Sequence, residues 1–238
     1  MTNLMVLPGN QKIGRQDLRD LPTPAPTATH QPVPHWRLVE ALVETLGFRH
    51  IGVMQDEYAV SRDGMRMFGV LNLDISESGI QFSIGIRNAH DKSMTIGVTV
   101  GYKVLVCENM AFGGDFTPIL KKHSKNLDLI ELVSVGVDSI QRHFQPLIKR
   151  IDVWRGFELS DLHAKGIIYD AFVARRLKAP KYLAEVVHQH YFEPEYEEFK
   201  ARSLWRMQNA FTSSFKDLDP IPQFEATARL SPFLARYE

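Results

Sequence analysis

The chain has 238 residues, no formal net charge and 44% hydrophobic residues, which is enough for a sizeable hydrophobic core. A neutral chain argues against a protein that coats nucleic acid over its whole surface. Its one cysteine, Cys107, excludes an internal disulfide framework and fits a reducing compartment. Because the chain shows neither a signal-peptide pattern nor an apolar run of about eighteen residues, we expect a cytoplasmic protein with no membrane partner.

Residues 1–34 predict a flexible arm, because they are rich in Pro, Thr and Ala and lack apolar periodicity. From His35 onward, apolar residues fall on one face of a helix that we expect to end at Gly47. Pro34 lies just before this helix or in its first turn, where proline is tolerated.

Period-two alternation of apolar residues then predicts an antiparallel meander. Strands are expected at 48–54, 57–60, 65–75, 80–86 and 94–107. Between the second and third, Gly64 is expected to take a positive φ in a turn. The 65–75 strand alternates but is partly apolar on both faces, which indicates a central strand that is covered on two sides.

Helical patterns fill most of the remaining chain. A long helix with apolar positions from Ile130 to Ile151 should cover the sheet and should kink or break at Pro146. Three shorter helices follow, the first of them capped by Ser160, and residues 219–222 are expected to interrupt regular structure.

These patterns together predict an α+β fold with a central antiparallel β-sheet, a long covering helix and a helical C-terminal half. We divide the chain into an arm (1–34), an α+β core (35–156) and a helical extension packed on the core (157–238).

Polar side chains crowd into two stretches that flank the last long strand, and four of them are candidates for catalysis: His90, Asp91, Cys107 and His123. Cys107 could form a thiolate–imidazolium pair with either histidine. The nitrogen and oxygen atoms of His90, Asp91, Glu108 and His123 could hold zinc, manganese or magnesium, but no close-spaced ligand signature occurs, so we assign neither a metal nor any required cofactor.

A structural role for the same stretches is the alternative, because Asn, Ser and Asp residues cap turns and satisfy loop backbone groups. Trp205, Asn209 and Thr212 share one helical face and could dock against the polar loop. The residues expected to support the loop are Asn88, Ser93, Glu108, Asn109, Trp205, Asn209 and Thr212.

Basic residues concentrate in the middle of the chain, where residues 121–181 hold twelve Lys and Arg against seven Asp and Glu. Such charges are ordinary on solvated helix faces. They would also serve a groove between sheet and helix, a layout similar to that of single-strand annealing proteins. The candidate phosphate contacts are Arg87, Lys92, Lys103, Lys121, Lys122, Lys125 and Arg142.

Several motifs resemble the phage- and plasmid-borne family catalogued as domain of unknown function 932. They are Pro34-His35, the Arg87–Ser93 stretch, the Gly101–Asn109 stretch, Lys122-His123 and the Trp205–Thr212 stretch. The chain departs from the family pattern at Ala89, Glu108 and Ser124. The resemblance implies a mobile-element origin and a shared fold, but no settled activity.

Three functions follow as hypotheses. The first is a mobile-element accessory protein that handles nucleic acid by binding or annealing single-stranded DNA. The second is a metal- or cysteine-dependent enzyme. The third is an inhibitor that binds a host or phage protein and imitates phosphates with an acidic patch at Glu193, Glu195, Glu197 and Glu198. A homo-oligomer is compatible with all three.

Overall fold

The computed structural model describes residues 10–107, 109–112 and 118–238. Within these ranges, seven strands form one antiparallel sheet and six α-helices pack around it. The predicted α+β class and helical C-terminal half are therefore confirmed. None of the described helices is long and apolar enough to cross a membrane.

The sheet is a meander whose last long strand has two short neighbours. The strands are β1 (Asn10–Ile13), β2 (Val53–Ser61), β3 (Arg66–Glu77), β4 (Ile80–Ala89), β5 (Ile96–Val104), β6 (Met110–Phe112) and β7 (Ile119–Lys121). Strands β1 to β5 lie side by side in chain order. Both β6 and β7 pair with β5, at 101–103 and 96–98 respectively, so they follow one another along the same edge.

The helices begin before the sheet and resume after it. They are α1 (His35–Phe48), α2 (Leu129–Gly156), α3 (Asp161–Phe172), α4 (Leu183–Phe192), α5 (Leu204–Ser214) and α6 (Pro220–Leu234). Side chains of Asp128, Ser160 and Ser203 cap α2, α3 and α5 by accepting hydrogen bonds from backbone N–H groups in the first turn.

Both faces of the sheet are covered, as the pattern of the central strand predicts. On one face, Phe82 packs against Phe144 of α2, with 4.2 Å between ring centroids, inside the main core. On the other face, Phe68, Val70 and Phe112 pack against Phe224 of α6 and form a smaller cluster. The long helix α2 therefore covers the first face, and α6 lies on the second.

The strand boundaries differ from the prediction at several places: β4 continues to Ala89, β5 ends at Val104 rather than at 107, and the short strands β1, β6 and β7 were not predicted. Gly64 has a φ of 67°, which confirms the predicted turn between β2 and β3. The two short strands expected at 48–54 and 57–60 are instead one strand, β2, because Phe48 belongs to the last turn of α1. Gly47 lies inside that turn rather than ending the helix.

Proline does not break regular structure at either of the two places where we expected an interruption. The helix α2 continues through Pro146, because Phe144 and Ile148 on either side of it are buried against the core. Residues 219–222 do not interrupt structure but begin α6, with Pro220 in the first turn, where its missing N–H would have no intrahelical partner.

The predicted arm packs against the core from residue 10 onward, and residues 1–9 lie outside the described part of the chain. Strand β1 pairs with β2, Leu18 is fully buried, and Arg19 contacts Glu40 and Trp36 of α1. The proline-rich stretch that follows brings Val33 into the main core. The sequence shows no apolar periodicity here because β1 has only four residues and the other contacts are made by single side chains.

Candidate functional site

The sheet separates the predicted site residues into two groups. The β4–β5 loop carries His90, Asp91, Lys92 and Ser93, and it lies at the same end of β5 as the segment that follows β7. Cys107 follows the opposite end of β5. At about 3.3 Å per residue, the length of β5 places the two groups on the order of 25 Å apart. The proposed pairing of Cys107 with His90 or His123 is therefore wrong.

Imidazole rings converge around the backbone of Val33 at the first of these ends. His90 Nε2 donates to the carbonyl oxygen of Val33 at 2.9 Å, and the Val33 N–H donates to His123 Nδ1 at 3.0 Å. The rings of His35 and His90 stack with 3.9 Å between centroids. His30 lies 5.3 Å from the ring of His123. We call His30, His35, His90 and His123 the histidine cluster.

Asn88 on β4 ties the histidine cluster to the N-terminal segment. Its Nδ2 donates to the Val33 carbonyl oxygen and to His35 Nδ1, both at 2.9 Å. Since His35 Nδ1 accepts this bond, the proton lies on His35 Nε2, which donates to the Gly64 carbonyl oxygen at 3.0 Å. Asn88 therefore links β4 to Val33 and His35, and neither of these bonds reaches the β4–β5 loop that we expected Asn88 to support.

The buried histidines are held in their neutral form. Burial, reinforced by the neighbouring His90, lowers the pKa of His35 to about 3. Burial likewise lowers the pKa of His123 to about 4, with further contributions from His30 and His90, and it also lowers the pKa of His90. At neutral pH the cluster carries no charge on these three rings and can donate or accept hydrogen bonds only.

Three buried polar atoms in and beside the histidine cluster have no hydrogen-bond partner among the described residues: Asn88 Oδ1, His90 Nδ1 and His123 Nε2. Because His123 Nδ1 accepts from Val33, its Nε2 must carry the proton of the neutral ring. It is therefore an unpaired donor, and the other two atoms are unpaired acceptors. Each such unpaired group usually costs about 1 to 3 kcal/mol, so these three atoms lower the free energy of unfolding.

A pocket of about 480 Å³ opens beside the histidine cluster, and we call it the lysine–histidine pocket. It is lined by Thr29, His30, Lys92, Ser93, Met94, Thr95, Lys122, His123 and Ser124. These nine residues supply two ammonium groups and four hydroxyl groups and include no carboxylate. The lining therefore favours an anionic ligand with several oxygen atoms, such as a phosphate.

Local interactions fix the loop that forms one wall of this pocket. Ser93 donates to Asp91 Oδ1 from its backbone N–H at 2.9 Å and from its hydroxyl group, and Arg66 lies 3.7 Å from the other carboxylate oxygen. Burial alone would raise the pKa of Asp91, but the hydrogen bonds from Ser93 outweigh it and lower the pKa. Lys92 takes a positive φ of 65° at the tip. Asp91 is thus a turn-stabilising residue in this geometry.

A second cavity of about 670 Å³ adjoins the first and shares Lys122 and Ser124 with it. Lys121 lines it, but so do Asp128 and Glu131 at the start of α2. Its charges therefore offset one another, and it has no comparable preference for anions.

The structure brings together only some of the predicted phosphate contacts. Lys92, Lys121, Lys122 and Lys125 are exposed near the two cavities. Arg142 is exposed on α2, about 20 Å along the helix from its first turn. A single groove lined by all seven predicted residues is therefore not formed.

The other two predicted contacts lie on the second face of the sheet. Arg87 crosses Gly97, and its guanidinium carbon is 5.9 Å from the centre of the Phe224 ring. Lys103 alternates with the core residues Tyr102 and Val104 and so points to that same face. Arg87 and Lys103 are therefore partly buried on the second face and do not lie beside the pocket.

The Cys107 end of β5 is a closed packing site. Burial raises the pKa of the Cys107 thiol to about 11, and its sulfur lies 4.0 Å from Asn209 Oδ1. Asn109 Nδ2 donates to the carbonyl oxygen and the side-chain oxygen of Asn209 at 3.1 and 3.2 Å. Such a thiol stays protonated at neutral pH, so this environment opposes a nucleophilic role.

The helix α5 supports this closed end and not the β4–β5 loop as we expected. Trp205 stacks on Tyr102 with 5.9 Å between ring centroids, and Gln208 donates to the Tyr102 hydroxyl at 3.0 Å. Thr212 donates only to backbone oxygens of its own helix. The reason is that α5 packs against the C-terminal end of β5, whereas the β4–β5 loop lies at the other end of that strand. Glu108, the remaining predicted support residue, lies outside the described residues.

The predicted acidic patch is partly neutralised by neighbours. Glu198 lies 3.3 Å from Arg155, and Glu197 lies 2.5 Å from Lys200, while Glu193 and Glu195 are exposed. Among the described residues, no group of three or more His, Cys, Asp or Glu side chains is arranged to hold a metal ion.

His30 and the backbone of Val33 were missed by the sequence analysis, and His35 was noted only as part of a motif. Their contacts with His90 and His123 span about 55 to 90 positions, and no local spacing signals such a contact.

Comparisons of the chain with protein-family models, with curated proteins and with solved structures find no match.

Proposed function

We propose that this protein binds single-stranded nucleic acid and that the lysine–histidine pocket holds a backbone phosphate. The observation that carries the proposal is the lining of that pocket, in which Lys92 and Lys122 occur with four hydroxyl-bearing side chains and no carboxylate. Lysines supply the charge that a phosphate requires, and hydroxyl groups supply further hydrogen bonds. The mobile-element origin that the resemblance implies belongs to the same proposal.

The size and position of the pocket favour a flexible strand over a duplex. A volume of about 480 Å³ is within the usual range for a site that encloses a small ligand or one nucleotide unit. A single strand can bend to place a phosphate and its sugar inside such a concavity, whereas a stiff duplex presents its phosphates on a convex surface. Lys121 lines the adjoining cavity and Lys125 is exposed between its lining residues Ser124 and Asn126, so these lysines are the candidates to contact neighbouring phosphates.

Fluorescence polarisation with labelled single-stranded and duplex oligonucleotides tests this proposal. We expect tighter binding of the single strand and a marked loss of affinity between about 50 and 200 mM salt. The double variant Lys92→Ala, Lys122→Ala should lose roughly tenfold in affinity and reduce the salt slope by about 0.7, since about 0.7 counterions are released per phosphate on a single strand and the two lysines share one phosphate.

The matched control is the double variant Lys149→Ala, Lys181→Ala, which removes the same charge from exposed positions away from the pocket. It should bind like the parent protein. Absence of salt-dependent binding in the parent, or equal losses in both double variants, would contradict the proposal. Arg142→Ala should have a smaller effect than Lys122→Ala, because Arg142 is distant from the pocket.

A further inference from the structure

The helix α3 has two apolar faces, and only one of them is buried. Ala164, Ile167, Ile168, Ala171 and Phe172 face the core. On the opposite side, Leu162, Tyr169 and Val173 are 78%, 59% and 55% exposed, and Gly166 lies among them with open space where a side chain would extend. An exposed apolar stripe on a helix that already buries its other face is typical of an interaction surface.

The exposed face has the spacing of a helix-pairing seam. Its four positions, Leu162, Gly166, Tyr169 and Val173, are separated by four, three and four residues, which is the a/d rhythm of a coiled coil. Polar residues border it on both sides, with His163 and Asp170 along one edge and Lys165 along the other. We call these four positions the α3 seam.

We propose that the α3 seam is the interface of a homodimer in which two copies of α3 pack antiparallel about a two-fold axis. In this register Tyr169 of each copy lies over Gly166 of the other, and Leu162 lies opposite Val173. The pair formed by the large Tyr169 and the small Gly166 therefore occurs twice, because a two-fold interface repeats every contact. The match between the bulk of Tyr169 and the gap at Gly166 identifies a second copy of this chain as the occupant.

The helix dipoles favour the antiparallel direction. Asp161 in the first turn of α3 is paired with Arg202, and Arg176 beyond the last turn lies 3.9 Å from Asp170. These charges are therefore balanced within each copy and do not set the direction. Antiparallel packing opposes the two helix dipoles, whereas parallel packing would align them side by side.

The contact is small. Four seam residues and their borders would bury on the order of 1,000 Å² in total, which is at the lower end for specific interfaces. We therefore expect a dissociation constant in the range of about 1 to 100 μM. The dimer is independent of the nucleic-acid proposal, because the seam belongs to the C-terminal helices and not to the lysine–histidine pocket.

Sedimentation velocity of the full chain over a concentration series tests the inference. We expect a monomer–dimer equilibrium, which Tyr169→Glu should weaken at least tenfold. Phe48→Glu serves as the control, because Phe48 is an even more exposed apolar residue at the end of α1. Circular dichroism checks that both variants are folded. A parent chain that stays monomeric up to about 200 μM, or a dimer that Tyr169→Glu does not weaken, would overturn the proposal.

A swap of the two central residues tests the register. Gly166→Tyr should abolish the dimer, and the double variant Gly166→Tyr, Tyr169→Gly should restore it, because large again faces small. In a Cys107→Ser background, Leu162→Cys with Val173→Cys should give a disulfide between position 162 of one copy and position 173 of the other. Disulfides that join position 162 to position 162 would indicate parallel packing and would overturn the antiparallel dimer.

Discussion

At one end of the β4–β5 pair, Asn88, His90 and His123 form a buried polar cluster beside an open pocket. At the other end, Cys107, Asn109 and Asn209 form a buried polar cluster beneath α5. The first cluster leaves polar atoms unpaired and lies next to two lysines, whereas the second is covered by a helix and holds its thiol protonated. Similar residue types therefore offer a binding surface in one place and packing in the other.

The contrast teaches that the surroundings of a polar residue decide its role more than its chemical type does. Cys107 would be a candidate nucleophile in an electropositive, accessible site. Under α5 it is a small buried side chain.

Trp205→Ala should have the largest effect. Trp205 is almost fully buried, stacks on Tyr102 and lies beneath Arg155, so its removal leaves a cavity at the closed end. We expect the free energy of unfolding to fall by about 3 to 5 kcal/mol, measured by chemical denaturation. Oligonucleotide affinity of the folded fraction should not change. Loss of affinity without loss of stability would mean that the closed end is the functional one.

Acid should destabilise the histidine-cluster end. His123 has an ordinary pKa of 6.5 and a folded-state pKa of about 4, so the unfolded chain binds more protons below pH 6.5. Stability is then complete above about pH 6.5 and is lost as the pH falls toward 4. Between about pH 6.5 and 4.5, His123 alone should contribute a loss of about 2 to 3 kcal/mol.

Denaturation curves of His123→Gln check this pH dependence against the control His163→Gln, which changes an exposed histidine on α3. The first variant should flatten the dependence of unfolding free energy on pH, and the second should leave it unchanged. Equal pH profiles for the parent and His123→Gln would show that His123 is not held neutral by burial.

Asn88→Ala should destabilise by about 1 to 3 kcal/mol, because it leaves the buried His35 Nδ1 without its donor and removes one of the two bonds to the Val33 carbonyl oxygen. Thermal or chemical unfolding measures the change. Asn126→Ala, at an exposed position, is the matched control. If both variants were equally stable, Asn88 would not be the link between β4 and the N-terminal segment.

Cys107→Ala should have the smallest effect. It removes one buried sulfur atom that makes only a long contact with Asn209, so we expect a loss of about 1 kcal/mol and unchanged oligonucleotide binding. A large loss of any activity with unchanged stability would restore the cysteine-dependent enzyme as a hypothesis.

The sequence predicted those elements that follow from local chemistry. Alternation between apolar and polar residues marks β3, β4 and β5, Gly64 marks the turn that needs a positive φ, and Ser160 marks the start of α3. Local rules failed where proline was taken as a helix breaker, because Pro220 begins α6 and the core holds both sides of Pro146.

Only the tertiary structure decided which polar residues meet. His90 and His123 share one end of the sheet because β4 and β7 both pair with β5, and His30, Val33 and His35 reach that end through the packing of the N-terminal segment. Strand direction placed Cys107 at the far end. Contacts between residues so distant in the chain depend on strand pairing and burial, and no pattern of neighbouring residues encodes them.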